Sequence, residues 1–276
     1  MPFYRRSARV VALALSFLSL PLLAHDLYLI PARFFTASGD LLAIELHNGD
    51  SFPESEVSPV LERVADFQLV TSGGARPVHN ARVTGKVVEA EVRAPSGAEG
   101  FVVTARTVPH AFELPAREFN SYLQEEGLAT ALAWRRTHDA VNAKGRERYA
   151  KYAKALVGGA VGSNRVHTQP VGFALEFVPH TSPYDAPADG KVHLLAVTLL
   201  LHGKPAPDVQ VEVSWAGNTN EKDTHVLGRT GREGQFMVPL VKPGLWRLHA
   251  VYMERCAETN VADWESSWAS LTFATK

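Results

Sequence analysis

The sequence predicts a mainly β protein built of two antiparallel β-sandwich-like modules with a helical insert between them, the C-terminal module being immunoglobulin- or transthyretin-like. Three observations predict it. Short apolar runs broken by turn residues fill residues 25–112, the texture turns helical over 113–160, and strand texture returns over 161–276.

In the first stretch the strands are Leu41 to Leu46, Phe67 to Val70, Lys86 to Val92 and Phe101 to Thr104. Ser38-Gly39-Asp40, Ser72-Gly73-Gly74 and Ser96-Gly97 are the turns around them. At Leu114-Pro115-Ala116 the pattern changes, because Pro115 suits a first helical turn and Gly127 a helix stop. A second helix is predicted over Leu128 to Arg136. A third is predicted over Lys144 to Val157, with Tyr149, Tyr152 and Leu156 near one face and Arg146, Arg148, Lys151 and Lys154 largely off it. The final module reads as strands over Phe173 to Val178, Val192 to Leu201, Val209 to Trp215, Gln235 to Leu240, Leu245 to Met253 and Trp268 to Phe273. Gly203-Lys204-Pro205-Ala206-Pro207 and Lys242-Pro243-Gly244 supply turns, at intervals that suit a sandwich.

Residues 1–24 read as a cleaved export signal. Arg5, Arg6 and Arg9 form a positive start and Val10 to Ala24 an apolar run ending in a small residue. The run is shorter than the roughly 20 residues a spanning helix needs, so no transmembrane anchor is expected after cleavage. Removing its three arginines and no acids takes the net charge from −1 to −4. That balance leaves no basic patch for phosphates and argues against a nucleic-acid partner. The single cysteine, Cys256, excludes an internal disulfide even in an oxidising periplasm.

Cleavage after Ala24 makes His25 the first residue, followed by Asp26. A terminal amine and an imidazole on one residue form a chelating pair for a transition metal. Asp26 offers a further oxygen ligand or a group that orients the imidazole. No other histidine pair has ligand spacing, so further ligands must come from distant strands; His47, His110 and His249 are the candidates. Each also fits an ordinary surface or hydrogen-bonded histidine. Nucleophilic catalysis finds no G-x-S-x-G elbow, no partner pattern around Cys256 and no phosphate-binding glycine loop. The protein is therefore not expected to be an enzyme.

Four segments together resemble a known family: the start His25-Asp26-Leu27-Tyr28-Leu29, the stretch Leu114 to Leu128, the run Gly145 to Lys154, and the ending Asp263 to Phe273. They look like the exported bacterial domain of unknown function 4198 family, whose members are commonly described as periplasmic components of nickel or cobalt uptake systems. The resemblance implies a periplasmic protein that binds nickel or cobalt and serves a membrane transporter component, with His25 and Asp26 at the family's characteristic mature terminus. Copper is chemically as well suited to an amine–imidazole pair. Tyr28 stands where many members show Trp, and Tyr252 where many show His, a ligand that His249 could replace. Two other expectations stand beside this one: an envelope interaction module in which His25 has no metal role, and a metal oxidase using the same terminal pair.

Overall fold

The computed structural model describes residues 25–97, 99–159, 164–185, 192–217 and 222–275. The expected leader (1–24) and the expected junction at 160–163 lie outside them.

The first part contains β1 (Leu27–Pro31), β2 (Phe35–Thr36), β3 (Leu41–Asn48), β4 (Val64–Thr71), β5 (Gly74–Pro77), β6 (Arg82–Thr84), β7 (Val87–Arg93), β8 (Phe101–Thr107) and β9 (His110–Leu114). Two helices follow, α1 (Ala116–Glu125) and α2 (Ala129–Thr137). Then come β10 (Gly145–Gly159), β11 (Leu175–Pro179), β12 (His193–Leu201), β13 (Lys204–Pro205), β14 (Gln210–Ala216), β15 (Lys222–Arg229), β16 (Gln235–Leu240), β17 (Gly244–Arg255) and β18 (Trp264–Thr275). The chain is mainly β with a helical insert, as its punctuation predicts, and no helix among the described residues is long and apolar enough to cross a membrane.

One sheet runs through the molecule in the order β15-β14-β17-β18-β10-β8-β4-β5, with β2 and β9 also paired to β10. The sheet β1-β3-β7-β6 packs on one face of it. Leu29, Ile44, Leu46, Val88 and Ala90 meet Phe101, Val103, Ala153 and Ala155 there. The sheet of β11, β12, β13 and β16 packs on the opposite face, where Phe177, Val197 and Val238 meet Val213, Leu248, Leu271 and Phe273. The two sandwiches thus lie on opposite faces of a shared middle layer. They are joined by β10 and β18, which pair in parallel from Glu147↔Trp264 to Ala155↔Thr272.

β10 corrects the expected third helix. Its alanines, lysines and arginines favour helix intrinsically, but propensity is a weak prior against tertiary context. The strand is central and covered on both faces, so its apolar residues do not alternate cleanly with polar ones. Ala153, Ala155 and Val157 join one core while Leu156 joins the other. Lys151 and Lys154, which a helix would expose, are 7% and 1% exposed and find partners in the fold.

The helices cover the end of the middle sheet that the β1 sheet leaves open. Phe119, Tyr122, Leu123 and Leu132 pack on Tyr149, Val251, Trp264 and Trp268. α1 comes so close to β10 that a Cβ on Gly145 would lie 2.0 Å from Cγ of the buried Phe119. Gly145→Ala should therefore cost about 1–3 kcal/mol through overpacking, lowering Tm by roughly 2–4 °C for each kcal/mol. Thermal unfolding followed by circular dichroism reads this directly, and an unchanged Tm would show that Phe119 does not seat there.

Candidate functional site

Strand alternation aims a polar row at the seam between the helices and the β1 sheet. While Leu248 and Ala250 enter the apolar core, Arg247 and His249 point the other way from β17. The register sets Ser214 and Glu212 of β14 opposite Arg247 and His249, and Thr272 and Ser270 of β18 on their other side. The start of the described chain crosses this row. Ser270 Oγ donates to the Leu27 carbonyl at 2.6 Å and Thr272 Oγ1 to that of Leu29 at 2.5 Å, while Lys151 Nζ donates to the His25 carbonyl.

Asp26 is buried in the middle of this row. Its Oδ2 lies 2.6 Å from Arg247 Nη1 and its Oδ1 3.2 Å from His249 Nδ1. The other nitrogen of His249, Nε2, lies 3.2 Å from Glu126 Oε2, just past the end of α1. Arg247 also donates from Nη2 to Glu212 Oε1 at 3.0 Å and Ser214 Oγ at 2.9 Å, and its guanidinium lies 5.2 Å from the centre of the Tyr28 ring. Burial by itself would lower the pKa of His249, but the Asp26 charge and the Glu126 hydrogen bond outweigh it and push the group up to about 9. The two carboxylates on its ring nitrogens thus favour the doubly protonated ring, a donor at both Nδ1 and Nε2. Nearby, burial lowers Lys151 to about 8 against the pull of Asp26 and Asp50, and raises Glu147 to about 7 against hydrogen bonds from Ser266 and Tyr122.

His25 faces outward from this network. Its Nδ1 is buried without a hydrogen-bond partner, 3.6 Å from Glu56 Oε2. Among the described residues, His25, Asp50 and Glu56 form one group whose potential ligand atoms all lie within 4.8 Å of one another. Asp50 and Glu56 come from the loop after β3, which is tied to the strand start because Gly49 N donates to the Asp26 carbonyl at 3.0 Å and Glu56 N to that of Asn48 at 3.0 Å. Asp50 is exposed as a residue, but its carboxylate turns inward to accept the Asp26 amide at 3.3 Å. Partial burial and the Asp26 charge raise its pKa. The Glu56 carboxyl is held below its usual value by hydrogen bonds from Ser51. One imidazole nitrogen with two carboxylate oxygens is a donor set for a divalent transition metal.

Of the residues singled out in the sequence, the structure brings His25, Asp26 and His249 to one place, with Asp26 and His249 paired to each other. It leaves His47 and His110 outside the group. The His47 ring stacks on Tyr28 with centroids 5.3 Å apart and its Nε2 lies 3.0 Å from Glu45 Oε2. His110 lies on β9, its ring 5.9 Å edge-on from that of Tyr149. Tyr252 packs against the core on the opposite face of β17 from His249. Asp50 and Glu56 were not anticipated. The available signal was an acidic, turn-rich loop, Asn48-Gly49-Asp50-Ser51-Phe52-Pro53-Glu54-Ser55-Glu56, directly after a strand beginning to pair with the terminal segment.

The family model described as Domain of unknown function (DUF4198) matches residues 22–254. No curated protein matches the sequence. Among solved structures the chain is similar to a DUF4785 family protein from Legionella pneumophila, at 10% identity over 80% of this chain and 52% of that one, with TM-score 0.24. It spans about half the length of that protein. A mutant Salmonella alpha-2-macroglobulin matches at 11% identity over 91% of this chain and 15% of that one, TM-score 0.23. A chimeric titin Z1Z2 tandem matches at 12% identity over 90% and 96%, TM-score 0.21.

The His249 bridge has a pH signature. Its folded pKa lies above the unfolded value near 6.5, so the stability it contributes is complete below about pH 6.5 and lost as pH rises through about 9. The difference in unfolding free energy between the native protein and His249→Gln should therefore shrink across that window, by about 3 kcal/mol. Urea unfolding of both proteins from pH 6 to pH 9 checks this, and a difference that stays flat would mean that His249 is not charged between Asp26 and Glu126.

Proposed function

The chain belongs to the family of the domain of unknown function DUF4198, and from that premise we propose that it is an exported, periplasmic protein that binds a divalent transition metal for uptake or trafficking. Nickel or cobalt is the cargo that its resemblance points to, and copper suits the same nitrogen donors. His25, Asp50 and Glu56 hold the ion, joined by the α-amino group that leader cleavage creates on His25. Asp26 does not bind the metal; clamped by Arg247 and His249, it fixes the backbone from which the His25 imidazole projects. No catalytic step is assigned.

The observation that carries the proposal is the His25 Nδ1 atom, buried without a hydrogen-bond partner and within reach of two carboxylates. A buried polar nitrogen left unpaired costs about 1–3 kcal/mol, and a bound cation would remove that cost. The terminal amine, with a reference pKa near 8, gives up its proton to a metal at modest cost near neutral pH. A second reading, an envelope interaction module, draws on the exposed apolar side chains Val192, Leu194, Met237 and Val241 around the outer face of β12 and β16.

Calorimetric titration with nickel, cobalt, copper and zinc separates the two readings. Protein beginning at His25 should bind at least one of these metals. The same protein with one Met added before His25, and the Glu56→Gln variant, should each bind about 10–100-fold more weakly. Absence of binding in every form would sink the metal reading and leave the interaction module.

A further inference from the structure

A second site lies on the opposite face of the middle sheet from His25. Where the β11 sheet covers β4, β8 and β10, the transverse row Val70, Val102 and Leu156 is part of the core. Two residues along each strand the rows turn polar, first Gln68, Thr104 and Lys154, then Asp66, Arg106 and Tyr152. All of these but the buried Lys154 line a groove of about 740 Å³, closed on its other sides by Val171 to Ala174 and the turn His202-Gly203. That volume is in the range of small-molecule sites, roughly 300–1,000 Å³.

The roof is held by an uncommon device. Glu176 is 1% exposed as a residue, and its carboxylate accepts the amides of Val171 at 2.9 Å and Gly172 at 2.8 Å. Lys154, equally buried, balances that charge at 2.9 Å and also donates to the Phe177 carbonyl. Burying such a pair offers little net stability, so its consequence here is positional: it fixes the loop that carries Phe173. At the other side, His202 holds φ at +48°, a conformation that costs a non-glycine residue about 1–2 kcal/mol, and its amide donates to the Ala174 carbonyl at 2.7 Å.

The chemistry of the lining narrows the ligand. The Tyr152 and Phe173 rings lie 5.2 Å apart, tilted by 42°, and present apolar surface. Beside them stand planar groups already set in orientation: Arg106 Nε donates to Asp66 Oδ2 at 3.4 Å and Gln68 Nε2 to Asp66 Oδ1 at 2.8 Å. Because Asp66 and Arg106 offset each other, the pair offers no net charge to a phosphate or a metal ion. The polar lining rules against a lipid tail. Donors and acceptors in fixed planes next to an aromatic surface suit a neutral molecule with many hydroxyls and an apolar C–H face. We propose that this groove binds a saccharide, with Phe173 and Tyr152 against a sugar ring and Asp66, Gln68 and Arg106 on its hydroxyls.

Saturation-transfer NMR on the full chain tests this with chitotetraose and maltotetraose as probes at millimolar concentration. The expected result is transfer to the C–H protons of at least one probe, with Kd weakened about tenfold or more by Phe173→Ala and by Arg106→Ala. Both side chains lie outside the buried core, and circular dichroism verifies that the variants fold. Binding should persist in His25→Ala, which separates this site from the metal reading. Transfer to neither probe, or transfer that both groove variants leave unchanged, would overturn the proposal.

Discussion

The carboxylate of Asp26 is the constraint on which the candidate site depends. A carboxylate at that depth is tolerable only if it is paired, and Arg247 and His249 pair it from one strand two positions apart. The same two residues reach further, Arg247 to Glu212 and Ser214 on the neighbouring strand and His249 to Glu126 at the end of the first helix of the insert. Terminal segment, middle sheet and helices are thereby held in one charge network. His25 owes its position to it. The imidazole projects over the loop after β3 because Asp26 and Lys151 fix the backbone behind it.

The fold was legible in the sequence wherever one face of a strand is wet. Gln235 to Leu240 alternates between exposed and covered side chains, and its limits in the structure are those read from its pattern. The helices of the insert were marked by Pro115 and Gly127, residues whose backbone preferences act locally. β10 was not legible, because its defining property is burial on both faces and its lysines are partnered from a distance in sequence, Lys154 by the Glu176 carboxylate and the Phe177 carbonyl and Lys151 by the His25 carbonyl. Its parallel pairing with β18 left no local trace either, since nothing in Gly145 to Lys154 announces a partner more than a hundred residues away.

The candidate site was half legible for a related reason. His25 and Asp26 stand out through their place directly after the apolar run Val10 to Ala24, a signal that belongs to the sequence itself. Asp50 and Glu56 are two acids in a surface loop, a pattern shared with many solvated turns, and it is the pairing of β1 with β3 and the bonds between Asp26 and the Gly49-Asp50 turn that make them neighbours of His25. His249 was visible as a histidine in a strand. That both of its ring nitrogens meet carboxylates follows from Glu126, which comes from a separate element.

The pairing of β18 with β10 spans more than a hundred positions, and the bonds from Ser270 and Thr272 to the carbonyls of Leu27 and Leu29 join the two extremities of the described chain across 243 positions. Contacts of such span form only after large loops close, which makes them slow to acquire. Hairpins such as β4 with β5 can assemble early, yet the seam around His25 lacks the β18 part of its floor until that strand arrives. A chain clipped before Trp264 would lose the parallel partner of β10 and the antiparallel partner of β17 at once, and with them the bonds that hold the backbone of Leu27 and Leu29.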